Sequence, residues 1–235
     1  MGKEGDKVFQ FKISLDDSSP QVWRRILISK DATFFDLHVA IQDSMGWYDS
    51  HLHGFRVYSK DRNIAPTIIQ FPNPEDDDFG EREVSDERFE KISKYFGVTI
   101  KRCKYEYDFG DGWVHTILFE KELPSEHNVK YPKCIAGKNA CPFEDCGGVW
   151  GYEEKLKILK NPKHPEYKDM LEWLGIDNPS EIDSTKFDLS EIEFRDTKKV
   201  LKEHERGFGV PHNKTETYEQ DPNEEEDEVQ NLKSQ

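Results

Sequence analysis

Three groups of side chains in this sequence are of the kinds that do chemistry. The first is Cys134-x6-Cys141-x4-Cys146, preceded by His115. Three thiolates and one imidazole form a sensible tetrahedral set for zinc, a borderline-soft ion that favours sulfur and nitrogen ligands. The gaps of six and four residues lack the Cys-x2-Cys knuckle of common zinc sites, so small thiols packed in a Gly/Pro-rich loop are the competing reading. Cys103 falls in the middle of an expected strand and reads as core rather than as a ligand. The second group is His51-Leu52-His53, with His38 upstream. In an extended strand residues 51 and 53 point to one side, so two imidazoles would converge on a metal or a phosphate. A bond to a helix end or to the backbone is the plainer alternative. The third group is Asp108, Asp111, His115, Glu144 and Asp145. Carboxylates beside a histidine suit a divalent cation or general acid–base chemistry. Turn aspartates also bond their own backbone amides, which accounts equally well for Asp108 and Asp111.

These side chains need elements to position them. Phe9, Phe11, Ile13 and Leu15 alternate with polar residues over 8–15, and Val22–Ile28 alternates again beyond an Asp/Ser/Pro turn, which predicts a hairpin. Thr33 and Asp36 form a capping-box pattern, Phe34, Leu37, Ile41 and Met45 follow at helical spacing, and Gly46 ends the helix. Residues 52–58 and 67–71 read as short strands, 72–78 as an acidic loop, and Asp86–Phe96 as a helix. A second hairpin joins 98–107 to 113–120 through Asp108-Phe109-Gly110-Asp111-Gly112, a turn whose Asp-Gly pair tolerates positive φ. Residues 131–151, rich in Cys, Pro and Gly, read as irregular, and helices fit 152–160, 166–174 and 196–206.

The chain has 235 residues with a net charge of −15, which argues against a protein that coats nucleic acid by neutralising phosphates. Part of that charge is localised: residues 213–235 hold eight acidic and two basic residues, so the tail carries −6 and residues 1–212 carry −9. The expected organisation is one domain over 1–212 and an acidic, disordered tail over 213–235. A local basic strip at Lys101, Arg102 and Lys104 is the one place where a nucleic-acid partner would touch. Hydrophobic residues are only 34%, yet 12% of the chain is aromatic, too many for disorder throughout. No stretch approaches the about 20 apolar residues of a membrane-spanning helix. With no apolar leader in MGKEGDKVFQF and four cysteines, reduced thiols and a cytoplasmic location are expected. The phosphate-binding G-x-x-x-x-G-K-[ST], the nucleophile elbow G-x-S-x-G and H-E-x-x-H do not occur.

Laid out this way, the chain resembles the Ri-plasmid (pRiA) ORF-three-like proteins, a family that includes insertion-element TnpR-like passenger proteins. The resemblance rests on Val22-Trp23-Arg24-Arg25, FFDLHVAIQDSMGWYDSHLHGF (34–55), YEYDFGDGWVHTI (105–117), YPKCIAGKNACPFEDCGGVWGY (131–152) and FDLSEI (187–192), and it spans about residues 7–208. Phe143 stands where the family usually has the second proline of C-P-P-E-D, and Cys146 where it often has valine. The resemblance implies a single α+β domain and a convergence of segments 34–55, 105–117 and 141–152 at one surface. A resolvase activity does not follow, since the chain has neither an arginine-surrounded nucleophilic serine nor a basic DNA-reading helix.

The expected fold is therefore α+β, an antiparallel or mixed sheet with helices packed on one side. The expected function is a binding or interaction module for a protein or small-molecule ligand, its groove lined by Trp47, His51, His53, Asp108, Asp111, Trp113 and His115. A metal-dependent hydrolase or nuclease using Asp108, Asp111, His115 and Asp145 is the alternative.

Overall fold

Eight strands form one mixed sheet in the order β5-β4-β3-β6-β7-β1-β2-β8. The computed structural model describes residues 6–59, 61, 63–72, 84–97 and 100–208; the expected acidic loop, apart from Pro72, and the expected tail lie outside them. Strands β1 (Lys7–Leu15) and β2 (Trp23–Ser29) make the first hairpin, in the register Phe11↔Ile26 and Ile13↔Arg24. Alternation sends Phe9, Phe11, Ile13 and Leu15 into the core. On the opposite face Arg25 makes a two-pronged pair with Glu120, at 2.7 and 2.8 Å. Helix α1 (Phe34–Met45) starts at a reciprocal capping box: the Asp36 amide donates to Thr33 Oγ1 at 3.1 Å and the Thr33 amide to Asp36 Oδ2 at 2.8 Å. Gly46, left-handed at φ 86°, ends the helix as expected.

Strands β3 (His53–Val57), β6 (Arg102–Tyr107) and β7 (Trp113–Pro124) are antiparallel neighbours, while β4 (Thr67–Gln70) pairs in parallel with β5 (Val84–Asp86) at the sheet edge. The β6–β7 turn closes on the pair Tyr107↔Trp113, with left-handed residues at Asp108 (φ 54°) and Gly112 (φ 68°). Helices α2 (Gly148–Leu159), α3 (Tyr167–Leu174) and α4 (Thr197–Phe208) follow near their predicted places. α1 supplies Phe34, Leu37 and Ile41 to the same core that receives the inward residues of β1, β3 and β6.

Two elements differ from the sequence reading. Residues 86–96 are not a helix but the end of β5, a turn, and one 3-10 turn at Ile92–Lys94. Some of their backbone groups bond one another in turns, and others are spent on the start of α1 and on Ala32 just before it. Glu90 and Glu87 carbonyls accept from the Phe34 and Phe35 amides at 2.9 and 3.1 Å, and the Ile92 amide donates to Ala32 at 3.0 Å. Within the segment read as irregular, Lys133–Lys138 forms an eighth strand, β8, on the edge of β2. The buried Arg24 holds it there, donating to the Lys138 and Asn139 carbonyls at 3.1 and 3.0 Å. Gly137 is needed in this strand, because a Cβ would lie 2.4 Å from the Phe187 ring.

Candidate functional site

The segment that leaves α1 at Gly46 turns sharply through Asp49, whose φ of 65° is in the left-handed region. Other loops fix its path. The Tyr48 amide donates to Glu144 Oε2 at 2.9 Å, the Ser50 amide to Tyr107 Oη at 3.0 Å, and the Asp108 amide to the Leu52 carbonyl at 2.9 Å. Tyr107 in turn donates its hydroxyl to Glu144 Oε1. Three distant stretches, 34–55, 105–117 and 141–152, thus meet at one corner of the molecule.

Inside that corner the Asp49 carboxylate is only 2% exposed. Oδ1 lies 2.8 Å from His38 Nε2, while Oδ2 accepts from His204 Nε2 at 3.2 Å and Arg195 at 3.3 Å. Burial opposes ionisation of Asp49. The adjacent His38 and the hydrogen bond from His204 outweigh it and hold the carboxyl well below its usual range. Arg195 also pairs with Asp43 at 2.5 Å, which ties the entry of α4 to α1. His38 Nδ1 lies 2.8 Å from Tyr105 Oη, which accepts from Gln42 Nε2 at 2.9 Å. The rings of His38 and His53 stack face to face, 3.4 Å apart and inclined by 3°. His53 Nε2 meets both oxygens of the buried Glu87, at 2.9 and 3.0 Å. Burial, and then the neighbouring His53, push the His38 pKa down to about 4, so His38 is neutral at pH 7.

A second group lies nearer the surface. His51 Nε2 is 2.9 Å from Asp145 Oδ1 and 3.7 Å from Asp108 Oδ2. Asp108 spends its other oxygen on its own turn, accepting from the Gly110 and Asp111 amides at 3.0 and 3.3 Å. Asp111 is committed elsewhere, its Oδ2 accepting from the Gly147 amide at 3.0 Å. Gly148 lies so close to this turn that a Cβ would come within 2.4 Å of the Asp111 carbonyl.

Both groups open on a cleft of about 450 Å³. Asp49, His51, His53 and His204 line it, with Gln70, Phe71, Arg195 and Val200 on its sides, and the exposed rings of Tyr48 and Phe109 at its mouth. Of the residues expected to line a groove, only His51 and His53 do so. They serve different groups, because His51 precedes the strand that His53 begins. Asp108 contributes through His51, and Asp111 pins the neighbouring loop. Trp47, Trp113 and His115 are buried below the cleft, with Trp47 stacked on Tyr107 at 5.0 Å and edge-on to His115 at 5.3 Å. Burial lowers the His115 pKa to about 4.

Among the described residues two three-residue groups place metal-ligating atoms within 4.8 Å of one another, His38–Asp49–His204 and His51–Asp108–Asp145. Neither includes His115, Cys134, Cys141 or Cys146. Those three cysteines pack on the hydrophobic core, where burial raises the Cys141 thiol far above its ordinary value and the Cys146 thiol to about 12. Cys103 is buried in β6, as expected. Lys104 of the basic strip is engaged by Asp16 at 2.5 Å. Asp49, Glu87, Arg195 and His204 escaped the sequence reading. His38 offered a signal, lying among the apolar positions of α1, where a polar ring needs partners from elsewhere in the fold.

The model of the family described as "Plasmid pRiA4b ORF-3-like protein" matches residues 7–192. The chain is 34% identical over 185 residues to the uncharacterized protein y4hQ of Sinorhizobium fredii (strain NBRC 101917 / NGR234), covering 79% of this chain and 88% of that one. It is also similar to the crystal structure of MM3350, a protein of unknown function from Methanosarcina mazei Go1. The two share 40% identity and a TM-score of 0.70, over 80% of this chain and 99% of that one. Among the described residues no helix is long and apolar enough to cross a membrane.

Proposed function

Taking as premise that this chain belongs to the plasmid pRiA4b ORF-3-like family, we propose that it is a binding module for a small, ring-bearing polar ligand held in the cleft between α4 and the 46–53 loop. One observation carries the reading: a preformed cleft of about 450 Å³ combines a floor of buried polar groups with aromatic rings at its mouth. Ligand sites are typically concave and partly apolar, with a few fixed polar groups that set orientation. Here the exposed Phe109 and Tyr48 offer faces for a planar ring, and Asp49, His204 and Gln70 supply the polar lining that would set its orientation. A thermal-shift screen of the full chain against nucleosides, aromatic amino acids and sugars tests this. A compound at about a hundredfold its Kd should raise the Tm by roughly 5–10 °C, and Phe109→Ala, an exposed position, should abolish the gain. No shift with any compound, or the same shift in Phe109→Ala, would overturn the proposal.

The meeting of His51, Asp108 and Asp145 favours a second reading, a metal-dependent hydrolase. It differs from the sequence reading in its ligands: His51 takes the place of His115, and Asp111 stays with the Gly147 amide. Hydrolysis of ester or phosphodiester substrates that needs added divalent metal and is lost in Asp108→Asn would establish it. Equal turnover in the variant would remove it.

A further inference from the structure

We propose that His38, Asp49 and His204 form a two-histidine, one-carboxylate site for a divalent first-row transition metal, with zinc as the test ion, open on its cleft side to the bound ligand. This inference rests on the cleft being a binding site and adds the ion on its floor. Two imidazole nitrogens and one carboxylate oxygen suit zinc or its neighbours in that series better than magnesium or calcium.

The geometry points to a ligand set rather than to a plain hydrogen-bonded cluster. His38 is fully buried, and its Nε2 lies 2.8 Å from Asp49 Oδ1, yet neither atom makes a well-aligned hydrogen bond. At that distance the oxygen must sit well off the in-plane direction of the ring nitrogen. An ion on the nitrogen lone pair would be flanked by that oxygen, which is the relation between adjacent ligands of one metal. With metal–ligand bonds of about 2.1 Å, two ligands lie about 3 Å apart at a right angle and about 3.4 Å apart at zinc's tetrahedral angle, so modest ligand movement would seat the ion. The observed separations are 2.8 Å from His38 to Asp49 Oδ1 and 3.2 Å from His204 to Asp49 Oδ2. The supporting shell is also present. Tyr105 Oη lies 2.8 Å from His38 Nδ1 and accepts from Gln42 at 2.9 Å; with Nδ1–H donating to that same oxygen, Nε2 keeps its lone pair for the ion, and the stacked His53 fixes the ring plane. Asp49 and His204 line the cleft, so the vacant coordination positions of such a site would face an incoming ligand.

Zinc alone is the probe. Isothermal titration of the metal-stripped full chain near neutral pH should show one equivalent bound, and cobalt in its place should give visible ligand-field bands. His204→Gln, a substitution at a part-buried helix position, should weaken zinc binding at least a hundredfold, about the upper limit for loss of a mere supporting partner. The glutamine amide can still donate to Asp49, so the metal-free variant should stay folded, with a Tm within a few degrees of the parent's. Asp169→Asn, at an exposed position on α3 outside both groups, should leave zinc affinity unchanged. No stoichiometric uptake, undiminished binding in His204→Gln, or loss in Asp169→Asn would each overturn the site. A chain that takes no zinc but still gains stability from a panel compound loses the metal and keeps the cleft reading. One that binds zinc and responds to no compound does the reverse.

Discussion

The two His–Asp groups beside the cleft are built from the same residue types and even the same backbone conformation. Asp49 and Asp145 both lie in the left-handed region, at φ 65° and 56°. They differ in what surrounds them. Asp49 is 2% exposed and contacts His38, His204 and Arg195; Asp145 is 68% exposed and pairs with His51. Charge–charge contacts in water are screened and nearly free to break, whereas buried ones stand or fall with the fold. The buried group is thus a fixed part of the domain, and the exposed one can be rearranged at little cost.

The sharpest way to break this comparison is one substitution made at both aspartates. Glycine adopts the left-handed conformation freely, so Asp49→Gly removes the carboxylate without adding backbone strain. It leaves Arg195 and two histidines without the anion they share. Loss of one partner from a buried ionic cluster costs about 3–5 kcal/mol, and the urea midpoint should fall accordingly. A loss below about 1 kcal/mol would mean that water reaches the cluster and that the two groups are alike after all.

Acid should act next most strongly, and again through buried imidazoles. His38 and His115 have folded pKa values near 4, against an ordinary 6.5. Between those values the unfolded chain takes up a proton that the native state refuses. Stability is therefore complete above pH 6.5 and declines as pH falls toward 4. The limit is about 3 kcal/mol for each ring. Denaturation midpoints measured at intervals from pH 7 to pH 4.5 should show the decline, and His115→Phe should remove one ring's share. A flat profile would show that the rings accept protons in the folded state.

What was legible in the sequence follows the same division. The Thr33–Asp36 capping box, the stop at Gly46 and the β6–β7 turn are set by residues a few positions apart, so they could be read directly. The meeting of segments 34–55, 105–117 and 141–152 was visible because each carries side chains that a plain core would not use. The buried group was not legible, since its bonds span 34 residues from His53 to Glu87 and 155 from Asp49 to His204. Residues 86–96 show the cost: their helical pattern is real, but the chain gives the Glu87 and Glu90 carbonyls to α1 and the Glu87 side chain to His53. Spacing along a chain reports local hydrogen bonding and carries little information about partners fixed only by the finished sheet.

The smallest expected effect completes the pair. Asp145→Gly meets the same left-handed backbone as Asp49→Gly, so conformational relief is matched and only the side-chain environment differs. The carboxylate that is lost faces water on most of its surface and holds a His51 that is itself 29% exposed. Exposed pairs of this kind contribute about 0–1 kcal/mol, and freeing a strained non-glycine residue offsets part of that. The urea midpoint should therefore move by no more than about 0.5 kcal/mol in either direction. A larger loss would place His51–Asp145 among the contacts that hold the 145–148 loop against the β6–β7 turn. Gly148 and the Asp111–Gly147 bond would then be insufficient to seat that loop. A negligible change would show that the packing of Gly148 against the Asp111 carbonyl fixes the loop, leaving the outer carboxylates free to reorient when a ligand enters the cleft.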